Sequence, residues 1–178
     1  TLTLSGTGNI PASKHVTVYV EGNVVISSNL TTAPSGWTTT DSIPTFDLIV
    51  KGNIYVQNNV AQLDGWYIAQ PKDDGTKGEI TTCAKPGGGL YNLASSDLYV
   101  NCATQLVING SFTAKKVHFL RTANSLRNGV AKEGAMASKA AEVFRFSPEA
   151  YLAKHALPQS AVAGVGSTDY YTTLPPVL

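Results

Sequence analysis

The sequence predicts a mainly β fold, a parallel β-solenoid (β-helix) with a C-terminal α-helical cap and an extended tail. Three observations predict it: short runs in which apolar and polar residues alternate, a phrase that recurs around a glycine, and a polar surface made of hydroxyls and amides. Of the 178 residues, 43% are hydrophobic and 14% charged, the latter well below the quarter usual for soluble domains. Ser, Thr and Asn supply 44 residues and Gly another 16. Ser, Thr and Asn compete with helical backbone bonds, while Thr suits a pleated sheet, so composition favours strands and loops. A chain of this length is long enough to bury a core, and the hydrophobic share of 43% excludes a disordered tail.

The recurring phrase is clearest in residues 16–30 and 47–60, which superpose with Gly22-Asn23 on Gly52-Asn53. A third copy, residues 106–117, keeps the glycine as Gly110 and replaces Asn by Ser111. Val16, Val18 and Val20 precede the first glycine and Val24 and Ile26 follow it; Leu48, Val50, Ile54 and Val56 do the same in the second copy. Alternation of this kind gives each strand one apolar face. Two strand-forming halves around one glycine fit a strand that bends and continues along the next side of a solenoid, with Gly22, Gly52 and Gly110 as the bends. A hairpin remains the alternative. Solenoids bury apolar faces by stacking similar units, and self-similarity is their signature.

Between the second and third copies, residues 61–69 and 79–83 read as further strands. Residues 31–44 and 71–78 are rich in Pro, Gly, Ser, Thr and Asp and read as loops, and 85–89 as a turn. After Arg121 the character changes. Residues 131–141 are Ala-rich, and 147–155 carry a helix start: Ser147 as N-cap, Pro148 at the first position and Glu149 in the first turn. The expected organisation is solenoid repeats with loop inserts over 1–121, a basic linker and helical cap over 122–158, and an extended docking tail over 159–178. Tyr170, Tyr171, Pro175 and Pro176 mark that tail as a segment that docks.

The formal charge of +1 argues against nucleic acid as a partner, because such affinity rests on many Lys and Arg contacts to phosphate. It divides into −3 over residues 1–100 and +4 over 101–178; a solvated basic face or a patch for an acidic partner both account for that. No apolar run reaches the ~18 residues of a membrane span. The chain begins at Thr1, which fits a removed leader or anchor or an excised part of a longer protein. Cys83 and Cys102 lack the close spacing of a metal site and read as a disulfide of an exported protein, bridging neighbouring coils; two buried thiols are the alternative.

Catalytic, cofactor and metal sites are not expected. No nucleophile elbow, zinc-protease helix or phosphate loop is present. His15, His118 and His155 fall on a strand entrance, a strand and a helix end, where structural roles suffice. Asp64, Asp73, Asp74 and Glu79 offer oxygen ligands or a carboxylate pair in a spacing that also makes turns. Trp37, Trp66 and Tyr67 are candidate glycan contacts, with core or loop anchoring as the alternative. Asn29 and Asn109 fit the N-glycosylation pattern.

The repeats around Gly22, Gly52 and Gly110 resemble the β-solenoid domains of bacterial surface and pilus-associated proteins. Residues 50–54, 63–70, 144–152 and 174–178 resemble segments of exported proteins of small-genome bacteria, some of which carry a pilin-like hydrophobic segment before the solenoid. The resemblance implies an extracellular or cell-surface location. The expected function is a non-catalytic structural or assembly subunit of a bacterial surface filament or pilus-like appendage. Its partners would be further copies of the chain or other surface proteins, with Leu2, Leu4 and the tail residues as assembly contacts. A carbohydrate-binding or adhesive module, with a polysaccharide as partner, is the alternative, and a β-helix polysaccharide lyase or hydrolase the second.

Overall fold

The computed structural model describes residues 1–6, 8–92, 96–123 and 140–153. In chain order the first strands are β1 (Leu2–Leu4), β2 (Gly8–Ile10), β3 (His15–Glu21), β4 (Val24–Ile26), β5 (Leu30–Thr32) and β6 (Thr45–Lys51). Then come β7 (Ile54–Gln57), β8 (Gln62–Gln70), β9 (Glu79–Ala84), helix α1 (Asp97–Asn101), β10 (Leu106–Ala114), β11 (Lys116–His118), β12 (Glu142–Arg145) and helix α2 (Pro148–Leu152). The fold is mainly β, and among the described residues the named strands pair in parallel, with isolated antiparallel bridges at Pro71–Lys77 and Ala84–Leu90.

The order of pairing is regular. One five-stranded sheet runs β1-β4-β7-β9-β11. The second, seven-stranded sheet contains the path β12-β10-β8-β5-β2, with β3 and β6 attached beside it. The long strands β8 and β10 span both parts of this sheet: Leu63 pairs with Leu30 of β5, while 66–70 pair with 47–51 of β6. Neither sheet closes on itself. The chain therefore visits the first sheet, the β2–β5 side and the β3–β6 side in rotation.

Parallel strands need both faces covered or a shared interior, and here the inward columns provide it. Val18, Leu48, Tyr67 and Phe112 lie in register across four successive strands. Val24 and Ile54 begin a second column, continued by Ile80. These belong to one core cluster in which Val24, Leu48, Ile54, Leu63, Tyr67, Ile80 and Ile108 are fully buried. Each such side chain contributes ~1.5–3 kcal/mol by burial. Phe46, Tyr67 and Phe112 add tilted and edge-on ring contacts at 5.9 and 5.6 Å.

Bends between sides bring backbone against backbone. Gly22 stacks on Gly52 as the aligned repeats imply: Glu21 pairs with Lys51 and Val24 with Ile54. A methyl on Gly52 would strike the Gly22 carbonyl oxygen. The side chains beyond the bend form a ladder, Asn23 Oδ1 accepting from Asn53 N–H at 3.0 Å and Asn53 Oδ1 from Glu79 N–H at 3.2 Å. Gly110 occupies a different bend. It pairs with Gly65, in the middle of β10 and β8, and not with the Gly22–Gly52 stack. The third copy thus superposes by glycine on the wrong corner, because its pattern of strand, Gly and strand is the same at both.

The disulfide between Cys83 and Cys102 is formed, with Cα atoms 5.8 Å apart. Its placement differs from a link between coils: Cys83 ends β9 and Cys102 caps α1, in the insert between β9 and β10. The bond ties one turn's insert to its own strand. Pairing also continues beyond residue 121, since β12 joins β10 in a region read as linker and cap. Within 147–155, α2 spans Pro148–Leu152 with Ser147 as N-cap, as its start signals imply. Residues 154–178, with Tyr170, Tyr171, Pro175 and Pro176, lie outside the described residues.

A buried cation fastens the later strands. Arg121 is 2% exposed, and its guanidinium donates to the carbonyls of Thr82 at 2.6 Å, Asn58 at 2.6 Å, Gln57 at 2.8 Å and Thr104 at 3.3 Å. Glu142 Oε1 accepts from Arg121 N–H and from the Thr82 hydroxyl, each at 2.8 Å. Burial pulls the guanidinium down to about 10 against the attraction of Glu142. Burial also raises the Glu142 carboxyl, opposed by those hydrogen bonds. Arginine supplies several donors in a planar fork, which is what a cluster of inward carbonyls requires.

Two predictions arise. Gly110→Ala places a methyl against the Gly65 carbonyl at a φ of +147°, and is expected to cost about 3 kcal/mol. Gly22→Ala meets no atom within 4 Å and suffers only its φ of +118°, costing ~1–2 kcal/mol. Urea unfolding should rank them so; equal losses would remove the close-approach explanation. For Arg121→Met the four carbonyls lose their donor, and a loss of ~3 kcal/mol or more is expected. Because the folded Glu142 pKa is raised, the folded state binds more protons than the unfolded. Its penalty is absent below the ordinary glutamate pKa and is complete above the raised folded value, so this contribution to stability falls as pH rises through that window. The wild-type minus Glu142→Gln stability difference should drift downward across that interval, and a flat or rising difference would contradict it.

Candidate functional site

The bend at Gly65 and Gly110 opens outward onto a cleft of about 640 Å³. One side comes from the insert after β5, which carries Trp37, and another from α2, which carries Glu149. Its floor is formed by two outward columns of the parallel sheet. Along the first, Asn9 pairs with Thr31, and Asp64 pairs with Asn109. Along the second, Thr17 pairs with Asp47, Asp47 with Trp66, and Trp66 with Ser111.

Asp64 organises this floor. It is 7% exposed, and both carboxylate oxygens are engaged. Oδ2 accepts from Thr32 N–H at 2.8 Å and the Thr32 hydroxyl at 3.2 Å. Oδ1 accepts from the amides of Gln62 at 2.9 Å and Asn109 at 2.7 Å. A buried carboxylate is tolerated when it is hydrogen-bonded in this way. The consequence is orientational: each amide must turn its NH2 to Asp64, which fixes which end of the group is the oxygen. Asp64 is therefore a positioning group for three neighbours, and has no idle oxygen with which to act as a general base.

The aromatic side chains divide. Trp37 is half-buried on the insert, its indole N–H donating to Ala33 carbonyl at 3.0 Å. Trp66 lines the cleft and packs against Tyr151 of α2 with ring centroids 5.5 Å apart. Tyr67 does not reach the surface. It is fully buried, and its hydroxyl donates to the Asp64 carbonyl at 3.0 Å. Burial, reinforced by the Asp64 charge, lifts its phenol well above the ordinary value. As the neighbour of Trp66 on a strand, it must point to the opposite face, so it serves the core and is withdrawn as a glycan contact.

The other candidate carboxylates are dispersed among local partners. Asp73 pairs with Lys51 at 2.7 Å, Asp74 accepts from Thr76, and Glu79 meets His118 at 3.0 Å. Those Thr76 hydrogen bonds hold the Asp74 carboxyl below the usual range. His15 lies between Thr45 and the Asp41 carbonyl; His155 is outside the described residues. Among the described residues, no group of three or more His, Cys, Asp and Glu side chains is arranged to hold a metal ion. Asn29 Oδ1 caps the Ala61 and Gln62 N–H groups, so that side chain is part of the fold.

Leu2 is exposed and Leu4 half-buried on β1. Gln62, Asp47 and Thr32 were not singled out by sequence, and Glu149 only as part of a helix start. A signal for part of this set existed: laying Leu63-Asp64-Gly65 on Ile108-Asn109-Gly110 puts Asp64 beside Asn109. Aligning the third copy on Gly52 concealed it.

Asp64→Ala removes the acceptor of four hydrogen bonds and is expected to cost ~2–4 kcal/mol. Asp64→Asn, which keeps one acceptor oxygen, should lose less; thermal unfolding of both variants checks the order, and equal effects would deny the organising role. No protein-family model, no curated protein and no solved structure matches this chain.

Proposed function

We propose that the chain is a parallel β-solenoid working outside the cell as a non-catalytic assembly subunit of a bacterial surface filament or pilus-like appendage. The observation that carries this reading is the first rung. Among the described residues β1, β2 and β3 each pair on one side only, with β4, β5 and β6 respectively. A complete turn of strand edge is left with backbone donors and acceptors facing outward.

Such edges pair with further chains unless charge, proline or a covering element prevents it. His15 and Glu21 are the acid and base side chains in these three strands, and Leu2 and Tyr19 are exposed there at 42% and 55%. The opposite end of the stack ends in β11 and β12, which also pair on one side each among the described residues. Stacking one copy's first rung on another's last is a head-to-tail contact, and repetition of such a contact builds a filament. Parallel rungs at ~4.8 Å spacing continue across that junction without a change of geometry.

The Cys83–Cys102 disulfide is compatible with an oxidising, extracellular setting. No helix among the described residues is long and apolar enough to cross a membrane. The tail over 159–178 is the second assembly element in this proposal, through Tyr170, Tyr171, Pro175 and Pro176.

Electron microscopy and size-exclusion chromatography test the reading. The full chain is expected to form filaments or discrete oligomers. Leu2→Lys with Tyr19→Lys, both at exposed positions, should abolish assembly while changing the unfolding free energy by no more than the ~0.5 kcal/mol typical of surface changes. Deleting residues 169–178 should weaken assembly with the β core still folded by circular dichroism. A chain that stays monomeric at high concentration, or assembly unaltered by these variants, would overturn the proposal.

A further inference from the structure

We propose that the cleft at the Gly65–Gly110 bend binds an uncharged saccharide chain. The inference rests on that cleft alone and holds whether or not the chain assembles.

A sugar ring asks for two kinds of surface. Its C–H faces lie against flat aromatic planes, and its ring of hydroxyls needs donors and acceptors in fixed directions. The cleft carries both. Trp37 and Trp66 bring indoles from two separate elements to one cavity. Asp64 holds the amides of Gln62 and Asn109 in one orientation from below. Among the described residues their amide oxygens accept no further hydrogen bond, and both residues line the cavity. Preorganised amides of this kind cost little to order when a hydroxyl arrives.

The charge of the site selects among saccharides. Asp47, Asp64 and Glu149 line the cleft, and no described lysine or arginine does. Uronic acids, sulfated sugars and phosphates would meet these carboxylates within the cleft, whereas neutral hydroxyls find acceptors; Arg145, the register partner of Asn109, lies outside the lining. A volume of about 640 Å³ falls within the ~300–1,000 Å³ of small-molecule sites. The floor advances by one rung, ~4.8 Å, per strand, a step comparable to one pyranose unit. A chain of sugars laid across the strands therefore meets a new row of polar side chains at each ring.

Among the described residues the cleft carboxylates take hydrogen bonds from the protein itself, Asp47 Oδ2 from the Thr17 hydroxyl at 3.4 Å. Asp64 is saturated by four hydrogen bonds, and Glu149 Oε1 accepts from the Ser147 hydroxyl at 3.1 Å. Retention of the sugar is what these contacts supply.

The test titrates the full 178-residue chain with neutral gluco-, manno-, xylo- and chito-oligosaccharides, and with polygalacturonate and heparin, following tryptophan fluorescence and heat. Saturable binding of at least one neutral series is expected, with no comparable binding of the acidic polymers. Trp37→Ala lies on an insert outside the strands, and Gln62→Ala removes one amide. Each should weaken binding about tenfold or more, a difference of ~1.4 kcal/mol, with an unchanged circular dichroism spectrum. Absence of binding to every neutral series would overturn the proposal. So would equal affinity for the acidic polymers, or unaltered affinity in both variants.

Discussion

Within the paired strands a side chain's nearest neighbours are its register partners in the strands on either side. Parallel pairing at ~4.8 Å imposes that: whatever occupies a position must tolerate its counterparts in the adjoining strands. The strands follow this column rule throughout. Inward columns such as Val18, Leu48, Tyr67 and Phe112 widen by adding rings where neighbouring columns leave room. At the bends the rule becomes severe, because Gly22 over Gly52 and Gly65 over Gly110 bring carbonyl oxygens where a methyl would stand.

The same rule explains what could be read from sequence and what could not. Period-two alternation and the Gly-Asn phrase made β3, β4, β6 and β7 legible, since stacked units must resemble each other at each column. The long strands β8 and β10 were found as strands, but their bend was assigned to the wrong corner. A glycine between two β-rich runs carries no mark of which corner it turns. The short strands β1, β2, β5, β11 and β12, three or four residues each, are too brief for alternation to register. Their existence depends on partners distant in the chain. Helix α1 and the placement of Cys102 belong to an insert, and an insert answers to no column.

Site residues divide along the same line. Trp37 and Trp66 were visible because large aromatics are conspicuous in a polar sequence. Tyr67 was grouped with Trp66 by adjacency, although adjacency on a strand means opposite faces. Asp64 was noticed as an acid among acids. Its role as the junction of Thr32, Gln62 and Asn109 depends on partners up to 45 positions away from it in the chain, and becomes evident only once register is known.

Low charge has a further consequence when columns are considered. A like-charged column would place repelling groups one rung apart, so a stack favours residues that tolerate repetition: Val and Ile inside, Thr, Asn and Gly outside. Asparagine does more than tolerate it. Asn23 and Asn53 each offer a side-chain oxygen to the backbone of the next rung, replacing a bond that the bend would otherwise lose. The Arg121 and Glu142 pair is an exception that confirms the reason: Arg121 is buried and Glu142 half-buried, and each is held by backbone or hydroxyl partners. Asp64 obeys the same condition at the cleft. Its column neighbour is Asn109, a donor, so the one carboxylate in that column is met by an amide instead of a second charge. An organised polar surface is thus the cheapest answer to stacking a single acid, and it is that surface which gives an otherwise uniform β stack one chemically distinct place.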